Sequence, residues 1–215
     1  MSSNATDAKI ESVYGAKSYS DLTTLYDEWA ETYDADMQGV GYVHPAVMAG
    51  LVGRYVQDKS SAILDAGVGT GNLGNILHIM GFTNLWGLDM SEGMLARARA
   101  RNIYTDLRNR TLGEALDLPD GSMAAIVSTG VFTTGHAPAS AWDELVRVTR
   151  PGGHLIFTVA ETVWTEAGFA AKFEELFGKS MVELLEVTPP YHPMPYSPAE
   201  SHFTTVARVY RRTKA

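Results

Sequence analysis

Ile63-Leu64-Asp65-Ala66-Gly67-Val68-Gly69-Thr70-Gly71-Asn72 is an apolar run that ends in three alternating glycines, and Trp86-Gly87-Leu88-Asp89-Met90-Ser91 is a second run that closes on an acid. A strand, a glycine-rich turn, a helix and a second strand ending on a carboxylate about 20 residues later form the pattern of a nucleoside cofactor site. Gly67, Gly69 and Gly71 exceed what one tight turn needs, so the turn is read as making room for a ligand.

Gly69-Thr70-Gly71-Asn72-Leu73-Gly74 matches the dinucleotide pattern G-x-G-x-x-G, in which a pyrophosphate rests on the helix N-terminus. Asp65, two residues before the first glycine, argues against that ligand, because its carboxylate would repel two phosphates. It is placed to orient the turn or, through water, to favour an ammonium group. A ligand that is cationic at this end is S-adenosylmethionine, with its α-ammonium and sulfonium. The residues resemble the Rossmann-like S-adenosylmethionine-dependent methyltransferases, whose first motif is D-x-G-x-G-x-G and whose second strand ends in an acid.

Length and composition agree with one such unit. The 215 residues, 45% hydrophobic, suffice for one sizeable core and fall short of two ordinary domains. The expected organisation is a polar, disordered segment over residues 1–17 and a single domain over 18–215, with an N-terminal helical lid over 18–55. No apolar run reaches the ~20 residues of a membrane span, and the N-terminus lacks a secretory signal's basic and apolar regions, so a cytoplasmic protein without membrane contact is expected. Lys+Arg of 17 against Asp+Glu of 25 gives a net charge of −8, which opposes binding to nucleic acid and favours a small-molecule substrate. Cysteine is absent, and the six histidines show no metal-ligand spacing, so no metal is expected.

Hydrophobic periodicity predicts an α/β fold. Leu22, Leu25, Tyr26, Trp29, Tyr33 and Met37 follow helical spacing in one helix over Ser18–Met37, capped by Ser20 or Asp21. Strands and helices then alternate, as a doubly wound parallel sheet requires: strand 62–65, helix 71–80, strand 85–89, helix 92–101, strand 103–107, strand 123–129, helix 139–149, strand 154–160 and helix 165–177. Strands over 181–187 and 203–210 follow. Pro189, Pro190, Pro193, Pro195 and Pro198 between them cannot donate to a ladder and predict an extended loop over the surface or the pocket mouth.

The resemblance continues through Gly113-Glu114-Ala115-Leu116-Asp117-Leu118-Pro119, similar to the family segment G-D-A-x-x-L-P, and Arg147-Val148-Thr149-Arg150-Pro151-Gly152-Gly153, similar to its L-R-P-G-G turn. It implies a Rossmann-like doubly wound sheet of seven strands, mostly parallel with an antiparallel last strand. More narrowly, Tyr26 to Met37 and Gly130-Val131-Phe132-Thr133-Thr134-Gly135-His136-Ala137-Pro138 resemble the Williams–Beuren syndrome region methyltransferase-like proteins and their microbial relatives. The narrower branch often carries an acid near Thr111, which competes with Glu114.

Roles follow from the residues and the resemblance together. Asp89 is expected to accept hydrogen bonds from both ribose hydroxyls. Gly67 and Gly69 let the backbone approach the methionine part, and Gly71 completes the turn. Met90 sets a polarizable thioether against the adenine, or packs in the core. The resemblance implies that Glu114 and the Ala115 N–H hold the adenine edge and that Ser128 lies beside the sulfonium. Tyr26 and Tyr33, two turns apart on one face, would lid the cofactor, with Tyr33 on its carboxylate; plain docking of an amphipathic helix is the alternative.

Methyl transfer needs alignment, exclusion of water and, for a protonated nucleophile, a base. His136, in the loop after the fourth predicted strand, is the candidate, since imidazole suits proton acceptance near neutrality; a structural loop histidine is the competing reading. Phe132, Trp164 and Tyr191 are candidates for an apolar acceptor pocket, against core packing for each. The reading is an S-adenosylmethionine-dependent methyltransferase acting on a small, partly apolar acceptor by direct displacement. Its rivals are a relative that binds the cofactor for a non-methylating rearrangement or for sensing, a nicotinamide-dependent oxidoreductase, and a methyltransferase acting on protein or nucleic acid.

Overall fold

The structure is a computed structural model that describes residues 3–133 and 135–213. Four helices come first: α1 (Ser3–Tyr14), α2 (Tyr19–Trp29), α3 (Tyr33–Gly39) and α4 (His44–Tyr55). The α/β part follows as β1 (Ile63–Ala66), α5 (Asn72–Ile79), β2 (Leu85–Asp89), α6 (Glu92–Ala100), β3 (Tyr104–Asn109), β4 (Met123–Phe132), α7 (Ala141–Val148), β5 (Thr149–Val159), α8 (Glu161–Glu166), α9 (Phe169–Gly178), β6 (Val182–Val187) and β7 (Val206–Arg212). The seven strands form one sheet in the order β3-β2-β1-β4-β5-β7-β6, and β7 runs antiparallel to both of its neighbours. This is the seven-strand arrangement expected from the sequence.

Alternation of side chains sorts the strands into two cores. Ile63 faces one layer and Leu64 the other. On one face Leu64, Ile126, Phe157 and Tyr210 pack under α7 and α9, with Trp142 and Phe173 as fully buried anchors. On the other, Ile63, Leu85, Val127 and Ile156 pack under α4 and α5 through Met48, Val52, Leu73 and Leu77. Each such side chain contributes roughly 1.5–3 kcal/mol by leaving water. The strand order reverses between β1 and β4, so the loops after β1, β2 and β4 frame a crevice at the carboxyl edge, where open α/β sheets bind their ligands.

The N-terminal part departs from the sequence expectation in three ways. Residues 3–14 form a helix, because Ile10 and Val13 fall one turn apart on one face and are buried against Leu22, Trp29 and Met37. The predicted helix over 18–37 is two helices, broken between Trp29 and Tyr33, and Ser18 rather than Ser20 or Asp21 caps the first through the Asp21 N–H at 3.1 Å. Within the stretch 18–55 expected as a lid, α4 packs in the sheet's own helical layer. The predicted helix over 165–177 is also two, α8 and α9, parted at Gly168. The proline-rich loop docks on the N-terminal helices: Pro193 accepts from the Val43 N–H, Val40 accepts from the Tyr196 N–H, and Met194 is buried among their side chains. Among the described residues no helix is long and apolar enough to cross a membrane.

Candidate active site

A cleft of about 680 Å³, open solvent included, lies over the carboxyl ends of β1, β2 and β4. Its floor is Gly67 and Gly69, one wall is Asp89 and Met90, a second is Arg110 to Leu112, a third is Thr129 to Val131, and Tyr26, Tyr33 and His136 close it from above. Gly67 has φ +83°, and a Cβ there would lie 2.2 Å from the Val131 side chain, so only glycine lets this backbone face the cleft.

Asp89 is held by its own loop. Its Oδ2 accepts from the Gly69 N–H at 2.8 Å and its Oδ1 from the Ser91 N–H at 2.9 Å, which leaves outward lone pairs for a ligand. Burial raises its pKa while those two amides oppose the rise. Thr129 beside it carries a buried hydroxyl with no hydrogen-bond partner among the described residues. A buried polar atom left open at the lip of a cleft is what a ligand contact would satisfy.

The N-terminal helices are fastened to the loops after β1 and β2 by two aspartates seven residues apart. Asp34 accepts from the Thr70 hydroxyl at 2.5 Å and the Asn72 amide at 2.9 Å, and pairs with Arg101 at 2.7 Å. Asp27 accepts from the Ser91 hydroxyl at 2.6 Å and the Gly93 N–H at 2.8 Å, reinforcing the start of α6. Sequence reasoning passed over both, although their spacing puts them two helical turns apart.

The structure brings Tyr26, Tyr33, Gly67, Gly69, Asp89, Met90 and His136 to one cleft, and it relocates the other predicted residues. Asp65 is buried and does not line the cleft. Burial, then the charge of Asp89, push its carboxyl up to about 8, and the Tyr104 hydroxyl 3.5 Å away only partly offsets this. At neutral pH the protonated form is favoured. Gly71 starts α5 and faces Arg101 and Tyr104. Ser128 is buried and donates to the Ala66 carbonyl at 2.7 Å, tying β4 to β1. Glu114 and Ala115 are exposed outside the cleft, because the wall they were expected to form is built three residues earlier, by Arg110 to Leu112. Trp164 stacks on Phe157 and lies under the Arg208 guanidinium at 4.0 Å, away from the cleft.

A second chamber of about 630 Å³, open solvent included, adjoins the first, and Tyr26, Tyr33 and Gly130 line both. Phe132 lines this chamber and also packs on Trp142 at 4.6 Å. Tyr191 stands behind its wall, 2.6 Å from His44 Nδ1, while His44 itself faces the space. Tyr14 also lines it; the helical spacing of Ile10, Val13 and Tyr14 was the available signal for this missed wall.

Comparison with known proteins decides the family. Residues 64–157 match the Methyltransferase domain family. Human Methyltransferase-like protein 27 is 34% identical over 154 residues, 70% of this chain, and the chain spans 62% of that protein's length. An uncharacterized methyltransferase of Bacillus cytotoxicus is 32% identical over 149 residues, covering 66% of this chain and 68% of its own. The chain belongs to the class I S-adenosylmethionine-dependent methyltransferases. The [4+2]-cyclase SpnF shares the fold at TM-score 0.62 and 18% identity, over 80% of this chain and 82% of its own. The cofactor of the family is S-adenosylmethionine. The residues of this methyltransferase fit it: a loop-held carboxylate for the ribose diol, an apolar ledge of Met90 and Leu112 for the adenine, a glycine floor for the methionine part, and an open Thr129 hydroxyl.

Proposed function

We propose that the protein transfers a methyl group from S-adenosylmethionine to a small, partly apolar acceptor by direct displacement. The observation that carries this reading is the single cleft in which Asp89 faces outward from its loop while Tyr26, Tyr33 and His136 cover the opposite side. The cofactor supplies a methyl group on a sulfonium, already activated toward a lone pair. Asp89 would hold the ribose hydroxyls, Met90 and Leu112 the adenine, and Gly67 and Gly69 the methionine part. Tyr33 would close over that part from α3.

Alignment and dryness are what the chain adds. The acceptor's lone pair forms the bond to the methyl carbon, and the carbon–sulfur pair returns to sulfur. A hydroxyl acceptor must also lose a proton. Tyr26 Oη lies 2.9 Å from His136 Nε2, and burial holds the Tyr26 hydroxyl far above its usual pKa, so it keeps a proton throughout. Tyr26 would accept from the acceptor while donating to His136, with no phenolate formed.

The test has two stages. Calorimetric titration with S-adenosylmethionine and S-adenosylhomocysteine is expected to show one site for each. Mass spectrometry of reactions with acceptor panels is expected to show S-adenosylhomocysteine formed in step with a product heavier by one CH₂. A changed product with the cofactor unconsumed would assign a rearrangement instead.

A further inference from the structure

We propose that the second chamber is the acceptor site and that it selects an uncharged molecule with an apolar body and one polar end directed at Gly130. This rests on the methyl-transfer reading and adds the class of its substrate.

Charge is decided by what the wall lacks. Among the described residues that line the chamber there is no Asp, Glu, Lys or Arg. Its titratable side chains are tyrosines and His44. Burial pushes Tyr14 up to about 12 and Tyr42 higher still, and pushes His44 down to about 3, so all are neutral at ordinary pH. An ionic acceptor would leave its hydration shell and meet no counter-ion. Asp36, buried next to the lining Trp29, is satisfied by Lys9 at 2.7 Å and the Trp29 Nε1–H at 2.8 Å.

Polarity within the chamber sets the orientation. Ile10, Val13, Met37 and Met194 make one end apolar. Tyr42, His44 and Thr158 make the other polar, grouped around Gly130, whose N–H donates to the Thr158 hydroxyl at 2.8 Å. Gly130 is also part of the cofactor cleft, so the polar end of an amphipathic occupant meets the junction where the methyl group would be presented.

The experiment uses three probes of one shape: 2-naphthol, 2-naphthoate and 2-naphthylmethylammonium, titrated near neutral pH into the full chain saturated with S-adenosylhomocysteine. 2-Naphthol is expected to bind, and each ion at least about tenfold more weakly, a gap of about 1.4 kcal/mol. Val13→Trp and Met194→Trp fill the apolar end from two different segments. Each is expected to weaken 2-naphthol at least about tenfold and to leave S-adenosylhomocysteine affinity within about twofold. Ions that bind as well as 2-naphthol, no binding of 2-naphthol, unchanged 2-naphthol affinity in both filled variants, or competition between 2-naphthol and S-adenosylhomocysteine would each overturn the proposal. Should S-adenosylhomocysteine fail to bind at all, the methyl-transfer reading fails, and titration of 2-naphthol into the unloaded chain and its filled variants still decides the chamber.

Discussion

Tyr26 Oη and His136 Nε2 lie 2.9 Å apart although 110 residues separate them, and Tyr26 is one of three residues common to both chambers. The contact joins α2 to the loop after β4 across the mouth of the cofactor cleft. His136 faces that cleft alone, and Tyr26 stands between it and the second chamber.

If this pair carries the acceptor's proton, His136→Gln keeps cofactor affinity and lowers turnover by ~10²–10⁴-fold, and Tyr26→Phe lowers it in the same direction. An unprotonated amine acceptor, which arrives with its lone pair free, is expected to react nearly equally with all three proteins in steady-state assays.

Asp89→Ala is expected to weaken cofactor binding by roughly 1.5–3 kcal/mol, the scale of hydrogen bonds to a charged group. Calorimetry on the folded variant measures it; an unchanged dissociation constant would take Asp89 out of the site.

Gly67 and Gly69 are expected to fail differently. A Cβ on Gly69 meets nothing within 4 Å and points into open space, whereas one on Gly67 collides with Val131. Gly69→Val should therefore keep a cooperative thermal transition, at a melting temperature lowered by a β-branched residue at φ +53°, and lose cofactor binding. Gly67→Ala should lower the melting temperature as well, because strand and loop must part to admit it.

Asp65 makes stability fall as pH rises. Its carboxyl titrates near 3.8 in the unfolded chain and about 8 when folded, so between those values the folded state holds a proton that the unfolded state has lost. Asp65→Asn is expected to stabilise the protein by on the order of 2–4 kcal/mol at about pH 8, with the gain fading toward pH 4. Chemical denaturation of both proteins across that range measures it; a constant difference would refute it.

The double change Asp27→Ala and Asp34→Ala is expected to open α2 and α3 to limited proteolysis and to weaken the cofactor about tenfold or more, with little effect on the melting of the sheet. Both aspartates end on the loops after β1 and β2 that frame the cleft, and the two large cores lie elsewhere.

What the sequence made legible is what residue identity decides locally. Gly67, Gly69 and Asp89 could be placed because a glycine-rich turn between strands and an acid closing the second strand admit few geometries. Glu114 was misplaced because the loop between β3 and β4 obeys tertiary contacts: Gly113 adopts φ +105° against Pro138, and the cleft wall falls on Arg110 to Leu112. The helix α1 was hidden by polar neighbours that outnumber Ile10 and Val13, whose partners lie on α2 and α3. Trp164 and Tyr191 were unreadable for the same reason, since an aromatic side chain states its size and leaves its neighbours to the fold.

The wall formed by Tyr26, Tyr33 and Gly130 has two sides, and this makes occupancy of either chamber a thermodynamic variable for the other. By linkage, whatever factor a filled cofactor cleft imposes on affinity in the second chamber, the filled second chamber imposes on the cofactor in return. A rigid wall would leave that factor at one. Tyr26 and Tyr33 sit on helices tied through Asp27 and Asp34 to the loops after β1 and β2, so a wall that shifts would let an occupied second chamber tighten the hold on the methyl donor.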